Sequence, residues 1–127
     1  MSLTKIIKVD LSSPQEEAIR QAAKLLIAGG LVIIPTETVY GIAADAQNKE
    51  ALERLYKIKN RPKNKPFAIL IAQQHQVQEL AVEVPVAAYK LMHKFWPGPL
   101  TVILKSVVQG TVGVRMPGNV IALAIAA

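Results

Sequence analysis

The sequence contains no cysteine, which excludes disulfide bonds, thiolate metal sites and cysteine nucleophiles. It has only two histidines, and neither lies near a nucleophile motif, so the sequence does not indicate a serine–histidine–aspartate catalytic triad. No apolar run approaches the roughly 20 residues that a membrane-spanning helix needs, and the first residues lack the apolar segment of a secretory signal. We therefore expect a cytoplasmic protein with no metal site built from protein ligands.

Acidic residues are scarce, and their distribution is uneven. None occurs between Glu53 and Glu79, and none follows Glu83. Lys and Arg total 15 against 9 for Asp and Glu, which gives a net charge of +6. Five of the 15 cations fall within residues 57–65, a concentration that attracts the phosphates of a nucleotide or of a nucleic acid. From charge alone, a solvated basic loop is the simpler explanation.

Length and hydropathy indicate one globular domain. The chain has 127 residues, of which 51% are apolar and 19% are charged, a balance typical of folded chains. We find no internal repeat, low-complexity tract or linker, so we expect a single domain over residues 1–127.

Apolar spacing and turn residues predict alternating helices and strands. Ser13 and Asn48 are expected to cap two of the helices, and Gly29 is expected to end the first in a left-handed conformation. Helices are predicted over residues 13–28, 48–57, 74–80 and 85–96. Strands are predicted over residues 5–10, 31–34, 42–44, 67–71, 100–104 and 112–116. This alternation favours an α/β or α+β fold in which helices cover a sheet.

Residues 120–127 form a run that is wholly apolar. A helix that is apolar on all sides must be buried on all sides, and ending there would leave its surface uncovered. We therefore expect either that the natural domain continues beyond this run or that the run packs against another chain.

The first candidate site is residues 35–41, Pro-Thr-Glu-Thr-Val-Tyr-Gly, directly after a predicted buried strand. Ligands of α/β sheets gather beyond the carboxyl ends of strands, and the hydroxyls of Thr36 and Thr38 can bind a carboxylate or a phosphate. Gly41 permits a close approach of the backbone. From spacing alone, an ordinary polar turn with Glu37 in solvent is the simpler interpretation.

The second candidate is the basic segment that contains Lys59, Arg61 and Lys65. Arg presents a planar fork to phosphate or carboxylate, whereas Lys presents a mobile point charge. Pro62 and Pro66 stiffen the segment, which reduces the cost of ordering it on binding. Because the chain has no Gly-x-x-x-x-Gly-Lys-Ser/Thr motif, a P-loop is excluded as the means of holding phosphates.

The third candidate is Arg115, which lies between apolar residues on a predicted strand. Arg is seldom buried without a partner. It can clamp the carboxylate of a ligand, or it can form an internal salt bridge with Glu37 or Asp45. The pattern alone does not separate these two interpretations.

Taken together, these segments resemble the YrdC-like family of threonylcarbamoyl-adenylate synthases. Each segment alone is a weak signal, but four in sequence are highly specific, and their order and spacing agree across nearly the whole chain. The matching segments are residues 35–46, 57–62 with 65–67, 95–101 and 112–117.

The resemblance implies a single twisted mixed sheet with flanking helices and a large basic cavity. It implies that bicarbonate carboxylates the amine of L-threonine and that the carbamate attacks the α-phosphate of ATP, with release of pyrophosphate. A partner transferase then passes the threonylcarbamoyl group to the adenosine beside the anticodon of tRNA. ATP is a substrate in this interpretation, and Mg²⁺ is bound with the nucleotide.

Roles for individual residues follow from the same resemblance. Lys59 and Arg61 match the family's Lys-x-Arg element and are the expected catalytic residues. Together with Lys65, they are also expected to bind the nucleotide. The residues expected to bind threonine or bicarbonate are Thr36, Thr38, Tyr40 and Arg115.

The sequence departs from the family pattern at its end. The family's Ser-x-Asn element, which is expected to bind the nucleotide, normally follows the Arg-Met-Pro segment, and the chain ends before it. We therefore expect residues 1–127 to be the N-terminal two-thirds of a family domain that is incomplete at the C-terminus. Whether such a chain is active alone stays open.

Two other functions stay open at this point. One is an RNA-binding accessory module without catalysis, for which the basic cluster would suit double-stranded RNA or tRNA. The other is the carbamoyl-adenylate domain of a hydrogenase-maturation carbamoyltransferase, a related protein that carries further cysteine-rich domains.

Overall fold

The computed structural model of the chain describes residues 5–8, 16–36, 39–62, 64–108 and 110–126. Helices and strands alternate along these residues, as the sequence predicts. The helices are α1 (Glu16–Ile27), α2 (Lys49–Lys59), α3 (Val77–Leu80), α4 (Val86–Phe95) and α5 (Val120–Ala126), with a 3₁₀ turn at Gln74–Gln76 before α3. The strands are β1 (Val32–Ile34), β2 (Gly41–Ala43), β3 (Ile69–Leu70), β4 (Val102–Lys105) and β5 (Thr111–Arg115).

The strands form two sheets, and the expectation of a single sheet is therefore wrong for the described residues. β1 pairs with β2 in an antiparallel ladder that sets Val32 opposite Ala43. In the second sheet, β5 lies between β3, which is parallel to it, and β4, which is antiparallel to it. The α/β class and the mixed pairing are confirmed. The connection between β1 and β2 is short, so the two strands satisfy each other's backbone groups locally.

The predicted helix ends follow from local hydrogen bonding. Gly29 has a φ of 93°, and the N–H of Gly30 donates to the carbonyl of Leu25 at 2.8 Å, so the glycine pair ends α1 as expected. The side-chain oxygen of Asn48 accepts from the N–H of Ala51 at 3.0 Å and caps α2. The predicted cap at Ser13 lies outside the described residues.

Two strand predictions are wrong in part. Residues 5–8 adopt no regular structure, and the rest of the strand predicted over 5–10 lies outside the described residues. β1 is not buried throughout, because successive side chains of a strand point to opposite faces. Ile34 is buried, whereas its neighbour Ile33 is 63% exposed.

The main core lies between α4 and one face of the second sheet. The contacting side chains are apolar and almost fully buried. Successive side chains of β4 point to opposite faces of the sheet, so Ile103 is exposed while its two neighbours in the strand are buried in the core. The cluster comprises Ile71, Val77, Ala81, Ala88, Met92, Trp96, Val102, Leu104, Val112 and Val114.

The apolar segment after residue 119 packs within the chain. Asn119 caps α5, because its side-chain oxygen accepts from the N–H of Ile121 at 2.9 Å. Ile121 and Ala122 are buried, and α5 packs against α1. Residues 123–126 are only half-buried, so the expectations that the domain continues or that this run packs against another chain stay predictions. Among the described residues, no helix combines the length and the apolar character needed to cross a bilayer.

We expect Met92→Ala to lower the free energy of unfolding by about 2–5 kcal/mol, because it empties a fully buried position in the core. Leu91→Ala is the matched control, since Leu91 lies on the same helix but is 44% exposed. Urea unfolding followed by circular dichroism measures both. Equal losses for the two variants would contradict this description of the core.

Candidate functional site

The basic segment begins at a left-handed turn that ends α2. Asn60 has a φ of 51° and a ψ of 42°, and its N–H donates to the carbonyl of Lys57 at 3.2 Å. The N–H of Arg61 donates to the carbonyl of Tyr56 at 3.0 Å. These two bonds form the Schellman arrangement, in which the residue after the left-handed position is drawn back towards the last turn of the helix. The backbone of Arg61 is therefore fixed relative to α2.

The side chain of Arg61 closes the loop that follows this turn. Its Nε donates to the carbonyl of Lys65 at 2.6 Å, and a terminal nitrogen donates to the carbonyl of Pro66 at 3.2 Å. The guanidinium carbon lies 5.0 Å from the centre of the Phe67 ring, which is a cation–π distance. These contacts use two of the five N–H groups of a guanidinium and leave the others available to a ligand, as far as the described residues show.

Two lysines flank Arg61. Lys59 lies in the last turn of α2 and Lys65 lies in the loop, and both side chains are exposed. The C-terminal end of a helix carries a partial negative charge. An anion bound here would therefore depend on the side-chain cations rather than on helix N–H groups, and the same cations stabilise the helix end when no ligand is bound.

A cavity of about 390 Å³ lies beside the turn. Its lining combines an aromatic ring, an amide, one carboxylate and two cations. The lining residues are Glu53, Tyr56, Lys57, Asn60 and Arg61. The cavity thus places Arg61 where a small polar ligand can reach it.

Thr36 lies in the turn that follows β1. Its hydroxyl donates to the carbonyl of Val39 and accepts from the N–H of Val39 at 3.2 Å, so the side chain stabilises the turn. Tyr40 is 75% exposed. Thr38 and Glu37 lie outside the described residues, so the interpretation of Glu37 as a solvent-exposed residue is not tested.

Arg115 is the last residue of β5 and is half-buried. Its Nε donates to the carbonyl of Gly98 at 3.3 Å, and the N–H of Gly98 donates to the carbonyl of Met116 at 2.9 Å. The carboxylate of Asp45 accepts instead from the N–H of Gln47 at 3.0 Å. The described contacts therefore favour Gly98 over Asp45 as a partner of Arg115.

The structure brings some of the predicted site residues together directly. Arg61 and Lys65 belong to one hydrogen-bonded loop, and this loop leads into β3, where Leu70 lies beside Arg115 in the parallel ladder. The 390 Å³ cavity has neither Thr36 nor Arg115 in its lining. Convergence of all the predicted residues on one cavity stays a prediction.

Sequence reasoning missed the supporting residues of this site. From the sequence, Asn60 is assigned only to the basic segment, and Phe67 is assigned to a predicted strand and to a matching motif. Asn is the non-glycine residue that most readily adopts the left-handed conformation, and it directly follows the last cation of α2. That combination is the signal that could have identified the turn.

Comparisons with known proteins give a consistent result. The family model for Sua5, YciO and YrdC, which carries the description "Telomere recombination", matches residues 24–127. The threonylcarbamoyl-AMP synthase of Pyrococcus abyssi is 44% identical over 118 residues, which are 86% of this chain and 35% of that protein. The threonylcarbamoyl-AMP synthase of Bacillus subtilis is 40% identical over 126 residues, which are 91% of this chain and 36% of that protein.

Solved structures agree with the sequence comparisons. The crystal structure of P. abyssi Sua5 complexed with L-threonine has a TM-score of 0.83 at 43% identity, and it covers 89% of this chain and 36% of that one. The crystal structure of Escherichia coli YciO has a TM-score of 0.80 at 28% identity, and it covers 89% of this chain and 59% of that one. The chain thus spans between about a third and three-fifths of the length of these relatives.

We expect Asn60→Gly to leave stability almost unchanged and Asn60→Ala to lower the free energy of unfolding by about 1 kcal/mol, because alanine is strained in the left-handed conformation of this residue. Asn64→Ala is the control, since Asn64 lies in the same loop and is exposed. Urea unfolding measures all three. A loss for Asn60→Gly as large as that for Asn60→Ala would contradict the turn.

Proposed function

Because the chain belongs to the Sua5/YciO/YrdC family, we propose that it carries the L-threonine-binding and phosphate-binding part of a threonylcarbamoyl-adenylate synthase. Its relatives from P. abyssi and B. subtilis are named threonylcarbamoyl-AMP synthases, and the chain spans about a third of their length. The observation that carries the proposal is the similarity to the P. abyssi protein complexed with L-threonine, at 43% identity over 89% of this chain.

The proposed reaction has two steps. The amine of L-threonine combines with bicarbonate to form a carbamate and water. A carbamate oxygen then attacks the α-phosphorus of ATP, the bond to the β-phosphate breaks, and pyrophosphate leaves. The product, threonylcarbamoyl-adenylate, would pass its threonylcarbamoyl group to tRNA through a partner transferase. We also propose that this reaction takes place in the cytoplasm.

Lys59, Arg61 and Lys65 would bind the phosphates of ATP. Arg61 supports this role best, because its guanidinium is held by the carbonyls of residues 65 and 66 and retains N–H groups for a ligand. These side chains donate hydrogen bonds and cannot ligate a metal ion. Their chemistry fits the phosphate oxygens, and Mg²⁺ would be held by the nucleotide and by water, as is usual for this ion.

Arg115 would bind the carboxylate of threonine, and Thr36, Thr38 and Tyr40 would lie along the threonine and bicarbonate site. The contact between Arg115 and the carbonyl of Gly98 holds the guanidinium from one side, so its planar fork would meet a carboxylate with little loss of freedom. Thr36 would act from a turn that its own hydroxyl stabilises.

Electrostatics explains why such a site would consist of cations. Threonine carboxylate, bicarbonate and ATP are all anions, so bringing them together requires their repulsion to be offset. Holding the reacting groups in register lowers the barrier further. No protein nucleophile is needed for this chemistry.

We expect Arg61→Ala to weaken ATP binding by about 10-fold or more, because it removes charge-assisted hydrogen bonds to phosphate, and to leave threonine binding nearly unchanged. Arg115→Ala should show the opposite pattern. Arg20→Ala is the charge-matched control, since Arg20 lies on α1 and pairs with Glu17 at 3.6 Å. Titration calorimetry with each ligand measures the pattern. Equal losses of affinity for ATP and for threonine in both variants would argue against separate roles for Arg61 and Arg115.

A chimera tests the activity without requiring this chain to act alone. Residues 1–127 would replace the matching segment of the B. subtilis relative, and release of pyrophosphate from ATP would be followed. We expect turnover only when L-threonine and bicarbonate are both present. Pyrophosphate release at the same rate with and without threonine, in a chimera whose circular dichroism matches that of the parent, would overturn the proposed function.

A further inference from the structure

We propose that Phe67 is a positioning residue for Arg61: its ring and the loop carbonyls together hold the guanidinium in the orientation that receives phosphate. The inference rests on the proposed function only for the identity of the ligand. The arrangement itself is a property of this chain's own contacts.

The guanidinium of Arg61 is held by two hydrogen bonds along one edge and contacts one aromatic ring. Along the edge, two N–H groups donate to the carbonyls of Lys65 and Pro66 at 2.6 and 3.2 Å. The guanidinium carbon also lies over the ring of Phe67, 5.0 Å from the ring centre. The hydrogen bonds and the ring contact involve different parts of the loop, so together they restrict the guanidinium more than either contact does alone.

Phe67 is itself held in place by α2. Its ring centre lies 4.5 Å from that of Tyr56, with a tilt of 43° between the rings, which is within the range of favourable aromatic pairs. Tyr56 also supplies the carbonyl that accepts the backbone N–H of Arg61 at 3.0 Å. One helical residue therefore supports both the backbone of Arg61 and the ring that its side chain contacts.

Phe67 acts through Arg61 because it is not part of the cavity. Tyr56 and Arg61 line the 390 Å³ cavity, whereas Phe67 does not. A ligand in this cavity would contact Arg61, which lines it, and would not contact Phe67. The contribution of Phe67 to binding is therefore one of preorganisation.

Preorganisation matters at this position because Arg61 is exposed. An exposed arginine samples many rotamers, and ordering it on binding opposes association. The ring and the two carbonyls remove this freedom before the ligand arrives. They also leave the remaining N–H groups on the side of the guanidinium that is not bonded to the loop.

A double-mutant cycle tests the inference. Phe67→Leu keeps an apolar side chain and removes the ring, whereas Phe67→Tyr keeps the ring. We expect Phe67→Leu to raise the Kd for inorganic pyrophosphate and for ATP by roughly 3- to 10-fold, in line with the loss of a cation–π contact. We expect the Kd of Phe67→Tyr to equal that of the parent. In an Arg61→Ala background, Phe67→Leu should have no further effect.

A second readout does not depend on binding. The guanidinium carbon of Arg61 lies over the Phe67 ring, so the ring current should displace the NMR signal of the Arg61 Nε–H proton in the parent and in Phe67→Tyr. In Phe67→Leu this displacement should be lost. Arg61→Ala identifies the signal by removing it.

The outcomes separate this inference from the proposed function. If the parent binds neither pyrophosphate nor ATP, the phosphate-binding role fails, and the NMR signal still decides whether Phe67 positions Arg61. An unchanged Nε–H signal in Phe67→Leu would overturn the inference. So would an equal loss of affinity on Phe67→Leu with and without Arg61, because Phe67 would then act on the fold as a whole.

Discussion

The site of this chain depends on how α2 ends. Asn60 adopts a left-handed conformation, and the N–H of Arg61 then reaches the carbonyl of Tyr56 at 3.0 Å. A helix that continued past this point would carry the cations away from β3, along its own axis. Because the turn reverses the chain, the side chain of Arg61 meets the carbonyls of residues 65 and 66 instead. The hydrogen bonds of one turn thus determine which atoms a ligand would encounter.

The second sheet supports the other half of the proposed site. β5 is its central strand, so it is paired on both edges and its backbone is held along most of its length. Val112 and Val114 point into the core, and Arg115 ends the strand. Burial of the apolar side chains sets the register, because a slip by one residue would expose them. The burial of Val112 and Val114 that fixes the register of β5 therefore also fixes the position of Arg115 at the end of the strand.

Much of the fold was predictable because its signals are local. Asn48 and Gly29 act through hydrogen bonds to residues within five positions, and both behave as the sequence predicts. The helix predicted over residues 85–96 is a further example, since α4 runs over Val86–Phe95 between Pro85 and Trp96. Strand pairing was less predictable, since β1 pairs with β2 and not with the strands of the second sheet. One face of this two-stranded sheet leaves Ile33 exposed. Pairing depends on contacts distant in sequence, which an apolar run does not specify.

For the site, the residue types alone limit the kinds of chemistry available. It supplied separated cations, paired threonine hydroxyls and no cysteine, which together favour anion binding over nucleophilic catalysis. The partners of these side chains are seen only in the folded chain: Arg61 contacts the loop carbonyls and Phe67, and Arg115 contacts Gly98 rather than Asp45. The physical reason is that residue type sets what a side chain can bond, whereas the path of the backbone sets which groups come within hydrogen-bonding distance.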